Sequence, residues 1–132
     1  METPFNVFDL FRVDGDVALI TGAGAGIGKM AATTLASAGA RIAVTDVDGE
    51  AARAVAAEIN DAGGDAVGYA LDVADESAIV DTVASAYSEF GQLNILVNNA
   101  GITRRIPTEE FSSEDWHAIL DVNLTAAFVA CR

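Results

Sequence analysis

The stretch best equipped for chemistry is Thr21-Gly22-Ala23-Gly24-Ala25-Gly26-Ile27-Gly28. A short apolar run, Val17-Ala18-Leu19-Ile20, enters it, and a helical pattern from Ile27 to Ala38 leaves it. Strand, glycine-rich turn and helix together set backbone N–H groups and a helix N-terminus against a phosphate. Gly22 suits a tight turn off the strand. Gly26 has no side chain to keep a pyrophosphate off the backbone, and Gly28 permits close packing of helix on sheet. The spacing is Thr-Gly-x-x-x-Gly-x-Gly. The commoner Gly-x-Gly-x-x-Gly does not fit, because its last glycine falls on Ile27 or Lys29. A triphosphate loop, Gly-x-x-x-x-Gly-Lys-Ser/Thr, fails as well: its first glycine is Ala23 and its hydroxyl is Met30.

Asp46 closes the next apolar run, 18 residues after Gly28. A carboxylate there can accept both hydroxyls of an adenosine ribose and repels a 2′-phosphate. Val47 follows it, where a 2′-phosphate site would want arginine. Asp72, before Val73, can accept from an adenine amino group or simply cap a turn. Asn98-Asn99-Ala100-Gly101 follows another apolar run, and such amides hold neighbouring backbone groups and fix a loop. Asn123 falls on an apolar stripe made by Trp116, Ile119, Leu120, Ala127, Phe128 and Cys131. A buried amide needs partners, so it either braces the helix against a loop or holds water in an active site. His117 reads as solvated, and Glu109-Glu110 with Glu114-Asp115 as a solvated loop and a charged first helical turn. Arg104-Arg105 overhangs the Asn98–Gly101 turn, where it can meet an anionic group or solvent.

The elements that position these residues alternate. Residues 1–15 form a leader whose Phe5, Phe8, Leu10 and Phe11 are expected to pack under the sheet. Gly39 ends the first helix, and strands follow over Arg41–Thr45, ending at Asp46, over Ala66–Leu71 and over Leu93–Val97. Asp48 caps a helix through Asn60, stopped by Gly63-Gly64. Asp75 caps a third with the stripe Ile79, Val83, Ala86, Tyr87 and Phe90, closed by Gly91. A last helix starts at Ser112-Ser113. The alternation predicts an α/β, Rossmann-like doubly wound parallel sheet of four strands in the order 3-2-1-4. The switch point then lies between the first and fourth strands, where both glycine-bearing turns fall.

One domain accounts for 132 residues. No apolar segment approaches the ~20 residues of a membrane span, and no secretory pattern opens the chain. The single Cys131 excludes an internal disulfide framework. A net charge of −13 argues against nucleic acid and anionic membranes as partners. A cytoplasmic protein without metal is the expectation.

Thr21-Gly22-x-x-x-Gly26-x-Gly28, Asp46, Asp72-Val73, Asn98-Asn99-Ala100-Gly101 and Val122-Asn123-Leu124 together resemble the short-chain dehydrogenase/reductase family, in order and spacing, over nearly the whole chain. The resemblance implies an NAD(P)-dependent oxidoreductase moving hydride between nicotinamide and a carbonyl or secondary alcohol. It implies cofactor contacts at Thr21, Gly22, Gly24, Ala25, Gly26, Ile27, Gly28, Asp46, Val47, Asp72, Val73, Asn99, Ala100 and Gly101, and makes Asn123 the catalytic asparagine that holds a relay water. Asp46 looks like the aspartate that selects NAD over NADP. Asn98–Ile102, Arg104-Arg105, Pro107 and Trp116 resemble the gluconate 5-dehydrogenase and deoxygluconate dehydrogenase branch more weakly, with 3-oxoacyl-carrier-protein reductases close behind. Substrates are then small carbonyl or alcohol compounds, an anionic one meeting Arg104 or Arg105, and the full-length parent is a homo-oligomer.

The family's catalytic serine and Tyr-x-x-x-Lys pair lie beyond the asparagine, and nothing within these residues replaces them. Tyr69 plus four is Val73, Tyr87 plus four is Gly91, and the one lysine is Lys29. The expectation is a single NAD(P)-binding domain over 1–132, C-terminally incomplete, that binds cofactor without turning over. The rival is a non-catalytic nucleotide-binding or regulatory module.

Overall fold

The computed structural model describes residues 6–132. Four strands, β1 (Val17–Ile20), β2 (Arg41–Asp46), β3 (Ala66–Ala70) and β4 (Ile95–Val97), form one parallel sheet in the order β3-β2-β1-β4. Ala18 sits opposite both Ile42 and Ile95 in the ladder, which makes β1 central. All of β1 is buried, as expected of a parallel strand covered on both faces.

Strand alternation divides the core between the two faces. Ala18, Ile20, Ile42 and Val44 pack against Ala32 of α1 (Gly26–Ser37) and Ala52, Val55 and Ile59 of α2 (Gly49–Asp61). Val17, Leu19 and Ala43 face Ala86 and Phe90 of α3 (Glu76–Phe90). A third cluster joins Leu71, Val73 and Ile79 to Ala126 and Val129 near the chain's end. There α4 (Ser113–Leu120) continues through a π-helical turn, Asp121–Thr125, into α5 (Ala126–Cys131).

The expected caps are in place. Asp48 accepts from the N–H groups of Glu50 and Ala51, Asp75 from those of Ser77 and Ala78, and Ser112 from that of Asp115. Gly39 and Gly91 take the left-handed backbone that ends their helices.

Several expectations are corrected. Phe8 and Phe11 are each 74% exposed, and Leu10 is exposed beside them. They lie in a short 3-10 turn, Val7–Phe11, with no buried residue, and Val13 is the leader residue that packs on the core; Phe5 lies outside the described residues. β4 is shorter than expected because the Asn94 side chain takes the N–H of Val17 at 2.8 Å. Leu71 falls just past the end of β3. On α3 the buried set is Ile79, Thr82, Ala86 and Phe90, with Tyr87 exposed. Trp116, Phe128 and Cys131 are exposed on the last helix, where Ala126 and Val129 are buried instead. For the residues after Thr125 the π-helical turn causes this: the N–H of Ala126 bonds to the carbonyl of Asp121, adding a residue to the turn and rotating all that follows.

Candidate functional site

The glycine turn is built by contacts that only glycine allows. Gly22 has φ +64°, and a Cβ there would lie 2.9 Å from Ala100 Cα. A Cβ on Gly28 would strike the carbonyl oxygen of Gly22 and lie 2.5 Å from Asn99 Nδ2. What Gly28 packs against is therefore the turn itself, more than the sheet. Gly26, φ +56°, faces open space, with nothing within 4 Å of its missing Cβ. Ala25 precedes α1 in extended backbone and offers no side-chain acceptor. The first N–H groups of α1 are thus uncapped beside an open position, the local condition for receiving an anion.

Thr21 and Asn99 stitch this turn to the one after β4. Thr21 Oγ1 accepts from the N–H groups of Asn99 and Ala100 at 3.1 and 3.0 Å. Asn99 Nδ2 donates to the carbonyls of Thr21 and Gly22 at 3.0 and 2.9 Å. Asp46 secures the other flank: its Oδ2 accepts from Gly24 N–H at 2.9 Å and its Oδ1 from Asp48 N–H at 3.0 Å. Asp72 Oδ1 accepts from Ala74 N–H at 2.9 Å, a turn-capping role, and its second oxygen has no bond among the described residues.

Between these turns lies a cleft of about 360 Å³. Gly22, Asp46, Val47, Asp72, Val73, Asn99, Ala100 and Gly101 all line it. Thr21, Gly24, Ala25, Gly26, Ile27 and Gly28 shape the adjoining turn and do not line it. Leu71, Ile102 and Val122 also line it. Ile102 and Val122 stand in the motifs quoted from the sequence, beside Gly101 and Asn123, but carry no expected contact of their own.

Asn123 is not buried on the helix stripe, because the π-helical turn swings it outward. Its side chain forms a fork on one residue of the loop. Oδ1 accepts from Ile102 N–H at 2.8 Å, and Nδ2 donates to Ile102 O at 2.9 Å. Of the two roles open to it, bracing is the one drawn in the geometry. Arg104 is paired with Asp115, whose side chain is only 17% exposed and also accepts from Ser112 Oγ at 2.6 Å. The Ser112 hydroxyl and the Arg104 guanidinium hold the Asp115 carboxyl below its usual range. Asp115 is thus more than a first-turn charge, and Arg104 meets it rather than open solvent. His117 is exposed, its Nδ1 2.7 Å from the carbonyl of Ser113. Neither tyrosine lines the cleft; Tyr69 packs against the cluster that includes Ala43, Ala86 and Phe90, and burial raises its pKa, with the Glu89 charge adding to this. Among the described residues no group of three His, Cys, Asp or Glu could hold a metal ion, and no helix is long and apolar enough to cross a membrane.

The family model described as short chain dehydrogenase matches residues 16–132. D-Threitol dehydrogenase of Mycolicibacterium smegmatis is 44% identical over 122 residues, 92% of this chain and 47% of its own length. Gluconate 5-dehydrogenase of Gluconobacter oxydans is 39% identical over 120 residues, 91% of this chain and 47% of its own. The chain therefore spans about half the length of the curated relatives it matches. Among solved structures, a 7α-hydroxysteroid dehydrogenase complexed with NADH and 7-oxo glycochenodeoxycholic acid superposes with a TM-score of 0.90 at 39% identity, over 96% of this chain and 49% of that one.

Proposed function

The chain belongs to the short-chain dehydrogenase family, and from that premise we propose that residues 1–132 are one dinucleotide-binding domain of an oxidoreductase, with NAD as its preferred cofactor and NADP as the weaker one. The observation that carries this reading is that the carboxylate of Asp46 lines the cleft while its Oδ2 binds the turn that adjoins it, which opens into an uncapped helix N-terminus beside Gly26. That arrangement fits a dinucleotide: donors for the pyrophosphate, an acceptor for ribose hydroxyls.

The backbone of Ala25 to Gly28 receives the phosphates in this reading. Asp46 takes the ribose hydroxyls, and its charge disfavours a 2′-phosphate. Asp72, Val47 and Val73 meet the adenine end, while Asn99, Ala100, Gly101 and Ile102 form the opposite wall. Asn123 belongs to the catalytic machinery by keeping Ile102 and the loop after Asn99 in place, and its remaining lone pair can hold a water. A bound nicotinamide supplies the hydride chemistry. The substrate is a secondary alcohol or its carbonyl, of the polyhydroxy or sugar-acid kind, in keeping with the names of the threitol and gluconate relatives. With Arg104 engaged by Asp115, Arg105 is the residue of that pair left to meet an anionic group. A cytoplasmic setting suits a reaction that draws on a shared nicotinamide pool.

A carbonyl reduced by hydride leaves an alkoxide that needs a proton, and a positioned acid contributes about 10²–10⁴-fold. Neither Tyr69 nor Tyr87 lines the cleft to serve as that acid. A polypeptide of residues 1–132 should therefore bind NAD and show no steady turnover. Calorimetric titration of that polypeptide checks the reading: NAD binds, and NADP binds more weakly or not at all. Tighter binding of NADP would overturn the preference, and no binding of either would overturn the domain's proposed role.

A further inference from the structure

Gly24 stands at an unspecified position of the Thr-Gly-x-x-x-Gly-x-Gly pattern, yet the structure leaves no room there for a side chain. A Cβ on it would lie 2.9 Å from Asp46 Oδ2 and 2.8 Å from the Cβ of Ala51 in α2. Its N–H meanwhile donates to that same Oδ2 at 2.9 Å. Its φ is not in the left-handed region, so the demand for glycine here comes from crowding and not from backbone strain. The neighbouring bonds make one unit of the turn and the end of β2. Ala23 N–H donates to Thr45 O at 2.8 Å, Thr45 Oγ1 donates to Ile20 O at 2.9 Å, and Leu71 N–H donates to Asp46 O at 2.8 Å.

We propose that Gly24 is a positioning residue that sets dinucleotide selectivity, by pinning the Asp46 carboxylate with its N–H and leaving that carboxylate the space a Cβ would take. The inference rests on the nucleotide reading of the cleft. Each Asp46 oxygen receives one backbone N–H and so keeps a lone pair for one ribose hydroxyl. Held in this way, the negative charge stays where a 2′-phosphate would have to sit. A side chain at residue 24 pushes Oδ2 off its N–H donor. The carboxylate then loses both its alignment to the hydroxyls and its fixed repulsion of the phosphate. The preference for NAD would thus be set by a pair of residues, one of which never touches the part of the ligand being discriminated.

The test uses the 132-residue chain, with NAD and NADP titrated by calorimetry. Gly24→Ala should weaken NAD binding by about tenfold, the scale of one charge-assisted hydrogen bond, and narrow the ratio between NAD and NADP affinities. A purely structural effect would weaken both alike. Gly24→Ala combined with Ala51→Gly relieves the crowding against α2 and leaves the crowding against Asp46, so the narrowed ratio should persist. A ratio restored in that double variant, or an unchanged ratio in Gly24→Ala, overturns the proposal. In the ligand-free chain, amide exchange at Gly24 should be slow and should accelerate in Asp46→Ala; equal exchange rates would show that the carboxylate does not hold the amide. An unmodified chain that binds neither dinucleotide while retaining the slow Gly24 amide would instead mark a failure of the nucleotide reading, and the selectivity role would fall with it.

Discussion

The two walls of the cleft are made in different ways. The glycine-turn wall closes on itself through close backbone contacts, with the Thr21 and Asn99 side chains bonded to backbone within it. Gly28 abuts the carbonyl of Gly22, Gly22 abuts Ala100, and the buried Thr21 hydroxyl serves two N–H groups. The other wall, from Gly101 through α5, is held by side chains reaching from the helix: Asn123 on Ile102, and Asp115 on Arg104. In the first wall a change of one methyl has nowhere to go. In the second, a lost contact frees a loop and leaves the sheet untouched. The contrast suits the proposed nucleotide reading, in which the glycine turn is the fixed frame for the phosphates.

The harshest way to break this contrast is Gly28→Ala. In an exposed helix alanine would be favoured over glycine by up to about 1 kcal/mol. Here its Cβ meets a backbone carbonyl and the Asn99 amide, and neither can yield without opening the turn. The net destabilisation should be about 3 kcal/mol, read from the urea midpoint at unchanged slope. A variant as stable as the parent would mean that the turn is loose and that the two walls do not differ in kind.

Asn123→Ala should do less. It removes both bonds to Ile102 from an exposed site, where water can replace them. About 1 kcal/mol is expected, with faster amide exchange confined to the loop near Ile102 and protection of β1 retained. Exchange that spreads into β1 or β2 would show that the helix wall also supports the sheet.

How far the sequence discloses each wall follows the same division. The strand order, the three helix caps and the convergence of Asp46, Asp72 and Asn99 on one cleft are legible because short-range patterns determine them. A run such as Val17–Ile20 has one sensible place, and an aspartate before a helix has one common use. The later part of the last helix departs from the expectation because a continuous period of 3.6 does not hold across Asp121–Thr125. One extra residue in the turn moves Ala126 and Val129 inward and leaves Phe128 64% exposed, while Trp116, ahead of the turn, is exposed on α4. No residue in that turn is a proline or glycine that would have marked it. The exposed Phe8 and Phe11 teach a related point: apolar type signals a surface that favours cover without saying what covers it. Ile102 and Val122 stand in the quoted motifs without an expected contact because their role is to supply apolar wall, which no local pattern separates from ordinary core.

The smallest effect is expected at Lys29, the residue that most resembles a phosphate-loop lysine. It lies in the first turn of α1 and is paired with Glu58 of α2 at 2.7 Å, both side chains substantially exposed. Two opposing contributions meet there. A cation near a helix N-terminus is disfavoured by the macrodipole by about 0.3–1 kcal/mol. A solvated ion pair returns about 0–1 kcal/mol and fades with salt. Lys29→Ala should therefore shift stability by no more than about 0.5 kcal/mol in either direction. NAD affinity should hardly change, because the side chain is turned toward Glu58 on α2 and does not line the cleft. Denaturation at two salt concentrations, with one calorimetric titration, measures all three quantities. A large fall in NAD affinity at unchanged stability would place a side-chain cation on the phosphates. The glycine-turn wall would then depend, like its partner, on a side chain reaching into the site, and the distinction between the two walls would fail at its most conspicuous charge.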